Sequence, residues 1–499
     1  MAEIAVKGAG AGRYRGYVQD VLRTYLPAWL AQQDAALSID PYLRGEHPLP
    51  VASAKLNTKE RDQLRYLAST PHARLLLNSS TQALNLRGIR EPGSDEIPPM
   101  WKEFWVRNRM PARQNAIHRS AIAYGCAYSS VLPGQLGIKG ENGLVLRTFT
   151  PKTMTAFYQE VYDEYPVLAL NGVEQVDSSG RKYWMFEIFD DEAVHFAAVY
   201  DIYLNVTSDM KVVYIESRPH GCGVTPVVYH SPLIDDDGGS RGEIVPFLPV
   251  IKRLDQSVYD RLLIQRQAAW KTRTAAGVKT DRMSETAVRE MRATMSAGDL
   301  LTSDDPTTKF GTLDASSMLE HVETRNSDLR DLATASQTPA WMLTGESANV
   351  QAEGLSAITS GYQQRIEQYK RALGISHIQN FDLAKLQKPE WGEVESGLEA
   401  RWAEFRPYSL TQVSDALGKL SQQLQIDPSL LYEYVPFFSD DDVERASERL
   451  QEMKDEALAM AQAEAAQAQE GGGDPTSNGN AQRKREQGTA GDSNQNSRS

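Results

Sequence analysis

The residues with the most chemistry to offer cluster in one stretch, and none of their spacings completes a reactive site. His220, Cys222 and His230 lie near Pro226. A zinc site needs further convergent ligands at tight spacing, and neither CxxC nor HExxH occurs, so a turn at a β-edge is the favoured reading. Asp235-Asp236-Asp237-Gly238-Gly239 resembles half of a cation loop. It lacks the later bidentate Glu of a calcium loop and reads as a solvated turn. Gly8, Gly10 and Gly12 follow no hydrophobic strand and satisfy neither GxGxxG nor the Walker pattern, so they read as a flexible terminus. No GxSxG nucleophile turn is present. The expectation is a protein with no catalytic step, no metal and no cofactor. The enzyme alternative is a metal-dependent nuclease built around Asp235–Asp237 with His220 and His230.

Charge says more than the motifs do. Among 499 residues, 53 Lys and Arg stand against 66 Asp and Glu, a formal charge of −13. Such a surface argues against a tight phosphate clamp, though not against a protein through which nucleic acid passes without sticking. Leu248 to Arg273 runs the other way: Lys252, Arg253, Arg261, Arg266, Lys271 and Arg273 against Asp255 and Asp260. On a helix these cannot share one face. They are either a solvated surface or positions that meet phosphate when many copies surround one duplex. Cys126 and Cys222 are the only cysteines, which excludes a disulfide framework and suits a reducing compartment. Cys126 reads as a small core residue on a helix face. No apolar run approaches a membrane span and Met1–Gly10 lacks the plan of a signal peptide, so a soluble protein made in the cytoplasm is expected.

The elements that must position these residues alternate in texture, and length sets a prior of about three structural units. The first third is helical by pattern, with Pro27 expected to break or kink the segment Tyr17–Leu30. A second helix starts at Asn57 as N-cap with Glu60 completing a capping box, interrupted at Pro71. A third spans Ala112 to about Ser130, with Ile117, Ala121, Tyr124 and Ala127 on one face. From about 144 to 230, short β-branched and aromatic runs separated by turn clusters predict an antiparallel β-unit. Apolar stripes then predict helices over Val250–Arg273 (Ile251, Leu254, Val258, Leu262), from Met318 to Leu332, and from Leu355 to Leu373. About 40 loose residues, with a short helix around Glu285–Met295, separate the first two. Each helix has only one greasy face and needs something to pack on. Residues 409–455 predict a small helical unit with Leu410, Val413, Leu417 and Leu420 on one face and Ser439 as a cap. Beyond about Ala457 the composition predicts a disordered tail.

The order of these parts resembles tailed-bacteriophage portal proteins, the branch common in long-tailed phages of Gram-positive hosts. Asn108-Arg109 through Tyr124-Gly125-Cys126-Ala127-Tyr128 resembles the family's helix and its exit into the β-rich part. Phe149-Thr150-Pro151 with Tyr162, then Pro166 to Leu170, resembles its next paired strands. His220-Gly221 with Thr225-Pro226-Val227-Val228 resembles the strand before the first stem helix. Thr338-Pro339 and Asn349 to Leu355 resemble the passage into the long tunnel helix, and Trp402 with Ser414 to Leu420 the C-terminal unit. The matches span about residues 57–450. Ala352-Glu353-Gly354 stands where the family often has Ser-Gly, and Gly239-Ser240-Arg241-Gly242-Glu243 replaces its usual pre-stem motif.

The resemblance implies an α+β, mainly helical subunit of a ring, typically of twelve copies, at one capsid vertex of the virion. It implies a wing over 1–247, stem helices over 248–273 and 314–336, and a clip over 274–313. A channel loop over 337–349 follows, then a tunnel helix and wing return over 350–405, a crown over 406–456 and the tail over 457–499. It further implies double-stranded DNA in transit, with the terminase large subunit docking at the clip, where Arg282, Arg289 and Arg292 lie. Major capsid protein, head-completion or adaptor proteins and scaffolding protein are the other implied partners; no membrane is. Trp341, Met342, Glu346, Ser347 and Asn349 are the expected constriction, against an alternative in which Trp341 and Met342 are core of a buried helix–helix connection. The six basic residues of the first stem helix are the expected phosphate contacts. Twelve copies would carry a charge of about −156, an acidic lining that DNA does not stick to. A minor capsid or scaffold protein without a channel is the other alternative.

Overall fold

The computed structural model describes residues 11–50, 58–93, 97–137, 140–160, 163–200, 211–233, 242–269, 273–276, 286, 309–312, 318–345, 352–394, 397–403 and 410–470 apart from 436, 437 and 439. These fall into two units, Met1–Glu404 and Phe405–Ser499.

In the first unit, helix α1 (Ala11–Arg44) runs unbroken through Pro27, where the sequence pattern predicts a break or a kink, and through Pro41. An interior proline costs about 3 kcal/mol, and the packing on both sides of Pro27 offsets it. Leu22, Leu26 and Trp29 are fully buried against an antiparallel sheet. Trp29 Nε1 donates to the Thr153 carbonyl at 2.8 Å, and Gln32 and Gln33 donate to the Met154 and Lys152 carbonyls at 2.9 Å each. The sheet is a five-stranded meander of β4 (Met154–Phe157), β5 (Leu168–Val176), β6 (Lys182–Phe189), β7 (Ala193–Tyr200) and β8 (Lys211–Pro219), in that order. Alternation places Phe186, Ile188, Ala197 and Val199 beneath α1.

Pro71 does interrupt the second helical pattern, separating α2 (Thr58–Ala68) from α3 (His72–Thr81). The proposed cap Asn57 lies outside the described residues. After β1 (Leu86–Arg90) and a π-helical turn at Trp101–Val106 comes α4 (Met110–Tyr124). It stops six residues before the predicted end because Gly125 takes φ 91°, a left-handed cap that favours glycine. The chain turns straight into β2 (Ala127–Leu136), so Cys126 and Tyr128 lie beyond the helix; both are nevertheless buried. Strand β2 sits between β3 (Glu141–Phe149) and β9 (Val227–His230) in a three-stranded antiparallel sheet.

Helix α5 (Leu248–Ala269) packs on α6 (Met318–Ala335). Between them, β10 (Arg273–Ala276) and β11 (Lys309–Thr312) form an antiparallel ladder pairing Arg273 with Thr312 and Ala276 with Lys309. The short helix expected around Glu285–Met295 lies outside the described residues but for Thr286. A five-residue helix α7 (Ala340–Thr344) leads to α8 (Ala352–Gln387). The α8 residues Tyr362, Ile366, Tyr369, Leu373 and Phe381 enter the main core beside Phe104, Trp105, Ile117, Ile251 and Leu332. Finally β12 (Glu399–Trp402) pairs with β1 and returns the chain to its first third.

The second unit holds α9 (Leu410–Gln423), a 3₁₀ segment at Pro428–Tyr434 and α10 (Asp440–Glu470). Asp427 accepts from the Ser429 amide at 3.0 Å and from Lys454 Nζ at 2.5 Å, which holds its carboxyl down at about 2. The helix continues to Glu470, past Ala457 where composition predicts disorder, since Ala, Gln, Glu and Met all favour helix. The cap Ser439 and residues 471–499 lie outside the description.

Candidate functional site

The basic stretch 248–273 folds largely as helix α5, and its charges point in different directions. Arg253 reaches α6, with Nε 2.8 Å from Asp328 Oδ1 and Nη2 2.8 Å from Asp331 Oδ2. Ser257, one turn on, donates to Asp328 Oδ2 at 3.0 Å. Arg253, expected among the phosphate contacts, thus braces two helices. Lys252 is exposed, its ammonium 5.8 Å from the Tyr42 ring centre. Arg261 is half-buried, Arg266 is exposed and Arg273 lies on β10. Lys271 and the proposed docking residues Arg282, Arg289 and Arg292 lie outside the described residues.

Asp255, one of the two acidic residues in that stretch, is not on the surface. Its carboxylate accepts from the Thr70 amide at 3.0 Å and the Thr70 hydroxyl at 2.7 Å, and it pairs with His47 Nε2 at 2.6 Å. His47 stacks on Tyr42 with ring centres 5.0 Å apart. A buried carboxylate with three donors is satisfied; here it ties α5 to the junction of α2 and α3.

The turn after α6 is held from α8. Arg365 donates to the Ser336 carbonyl, to Thr338 Oγ1 at 3.4 Å and to Ser80 Oγ at 3.3 Å. Tyr369 donates to Glu243 Oε2 at 2.8 Å, and Tyr362 to the Ser79 carbonyl. Burial raises the Tyr362 phenol to about 12. Gln337 at the turn has φ 49°. On α7, Trp341 is 36% exposed, Met342 packs partly on the main core and Leu343 is buried. The core alternative therefore fits Met342 and its neighbour Leu343 better than Trp341. Glu346, Ser347 and Asn349 lie outside the described residues.

The histidines sort differently from their order in the chain. His220 Nε2 meets the Asp190 carbonyl at 2.9 Å and its Nδ1 accepts from the Cys222 amide at 3.1 Å, closing a turn. His230 lies elsewhere, fully buried between Ser129 Oγ and Ser376 Oγ at 2.7 Å each. It belongs to a cluster with His118 and His377, whose Nε2 atoms are 2.9 Å apart. Burial pushes His118 down to about 4 and His230 to about 3, and pushes His377 well below the usual histidine range. Sequence reasoning missed His118 and His377. The readable signal was polar side chains set on apolar stripes: His377 is four residues from both Leu373 and Phe381. Among the described residues no group of His, Cys, Asp and Glu is arranged to hold a metal ion. Asp235–Asp237 lie outside them. Burial raises the Cys126 thiol to about 12 and Cys222 to about 11, which leaves both as unreactive thiols. No helix among the described residues is long and apolar enough to cross a membrane.

No curated protein matches the chain. Among solved structures, the neck of an empty GTA particle is similar at 11% identity and TM-score 0.34, covering 80% of this chain and 94% of that one. An HK97-family phage portal protein from Corynebacterium diphtheriae is similar at 11% identity and TM-score 0.27, covering 66% and 90%. Residues 22–463 match the family of phage portal proteins described as SPP1 Gp6-like. With nearly the whole described chain inside that match, the protein belongs to the phage portal protein family.

Proposed function

We propose that the chain is the subunit of a closed ring at the capsid vertex, through which double-stranded DNA is packaged and ejected without a catalytic step by the ring itself. The observation that carries this reading, beside the family, is the α5–α6 pair. It is braced on one side by Arg253, Asp328 and Asp331, anchored on another by Asp255, and continued by the β10–β11 ladder. Leu319 and Val322 of α6 and Tyr66 and Leu67 of α2 remain exposed. Neighbouring copies packed around an axis would cover such faces.

In this reading the α5–α6 pair is the stem, 274–313 the clip that docks the terminase large subunit and later head-completion or adaptor proteins, and 337–349 the channel loop. Lys252, Arg261, Arg266, Lys271 and Arg273 are the proposed weak phosphate contacts; weakness suits passage, since tight contacts would set an escape barrier at every step. Capsid and scaffolding protein would meet the outer parts. Native mass spectrometry with negative-stain imaging of the purified full chain tests the ring. A closed particle of about a dozen copies is expected, and a monomer or dimer would sink the reading.

A further inference from the structure

We propose that the cleft between the start of α4 and the β2–β3 hairpin is a binding site for phosphate oxyanions. The cleft has a volume of about 670 Å³ and is lined by Arg107, Arg109, Arg113 and Glu141, with Leu136 and Val145 as its apolar lining. Three guanidinium groups against one carboxylate make it a local concentration of positive charge in a chain of −13. Arg107 is ion-paired with Glu141. Arg109 and Arg113 have no carboxylate partner among the described residues. Exposed arginines are common, but these converge on a cleft whose two walls are locked together. Asn108, buried beside them, donates to the Phe104 and Leu144 carbonyls at 2.9 Å each and accepts from the Leu146 amide at 2.9 Å. Those bonds fix β3 against the chain entering α4, so the arginines are carried on a rigid frame.

Guanidinium forks match tetrahedral oxyanions with paired hydrogen bonds, and three of them in one cleft suit a compact anion of several charges better than the spaced carboxylates of an acidic peptide. Glu141 then acts as an internal competitor that holds Arg107 in position while the site is empty. This inference stands independently of the channel reading.

Calorimetric titration of the full chain with sodium pyrophosphate tests it, alongside the variants R109Q/R113Q and Glu141→Gln. The expected result is binding that weakens about tenfold or more in the double variant and tightens in Glu141→Gln, which frees Arg107. These side chains lie at the surface, and circular dichroism checks that both variants stay folded. A short DNA duplex that displaces pyrophosphate from the wild type would identify backbone phosphate as the source; failure to displace it would point to a free phosphate compound. Equal binding by wild type and double variant, or no binding at about 5 mM pyrophosphate, overturns the proposal. So does displacement by a polyglutamate peptide at lower concentration than by duplex, which would assign the cleft to an acidic protein segment.

Discussion

At the scale of single residues, the most consequential feature is three neutral histidines in the core. His118, His230 and His377 have folded-state values below the usual 6.5, by burial. The unfolded chain therefore binds protons that the folded chain refuses once the pH drops below about 6.5. Stability is fully present above that pH and declines as it falls, by about 1 kcal/mol per pH unit per histidine at most, down to about 4, where His118 itself starts to charge. Urea unfolding followed from pH 7.5 to 5 checks this, and a flat profile would contradict it. Asp255 offers a second test. Asp255→Ala leaves Thr70 and His47 without their acceptor, and a loss of about 3 kcal/mol is expected in the same assay. Neither feature could be read from spacing. His118 and His377 are 259 positions apart, and Asp255 and His47 are 208 apart. Only the folded topology makes neighbours of them. Asp255 also looked like one of two acids diluting a basic surface, because charge counting is blind to burial.

At the scale of elements, local pattern succeeded where side chains dominate and failed where backbone geometry or distant packing decides. The stripes of α5 and α8 were legible because each buries one face at helical spacing, and that of α6 in its second half, where Leu329 and Leu332 are buried while Val322 is exposed. The break at Pro71 was legible too. At Pro27 the chain does not break, because Trp29 and Leu26 are packed tightly enough on the meander to carry the helix through. The end of α4 depends on Gly125, and a lone glycine in a helical pattern is ambiguous by sequence alone. Gly242 supplies an element-scale prediction. An added Cβ would lie 2.0 Å from the Ala123 carbonyl oxygen, and the Glu243 amide already donates to the Ile122 carbonyl at 2.9 Å. Gly242→Ala must push the entry to α5 away from the end of α4, at a cost of about 2 kcal/mol. A lowered melting temperature with the loss of slow-exchanging amides at 120–124 is expected. Unchanged melting would show that this junction yields easily.

For the whole molecule, the resemblance to portal proteins rests on the order of weak local matches, and the family match over residues 22–463 agrees with it although several element ends differ from the sequence pattern. The candidate site was less legible: of the six basic positions proposed to meet phosphate, Arg253 is engaged by two carboxylates, and the helix pairing that engages it has no local signature. If 337–349 is the proposed channel loop, inserting bulky residues at Glu346 or Ser347 should impair DNA packaging and retention while ring formation persists; unchanged packaging would overturn the constriction assignment. The β10–β11 ladder has a consequence of its own. By joining Arg273–Ala276 to Lys309–Thr312, it fastens the exit of α5 to the approach to α6, so the pairing of the two helices does not depend on the sequence of the 32 residues between the strands. If 277–308 carry the proposed docking surface, that stretch can change in length as well as sequence, and its partner with it, while the helical pair keeps its own carboxylate anchors.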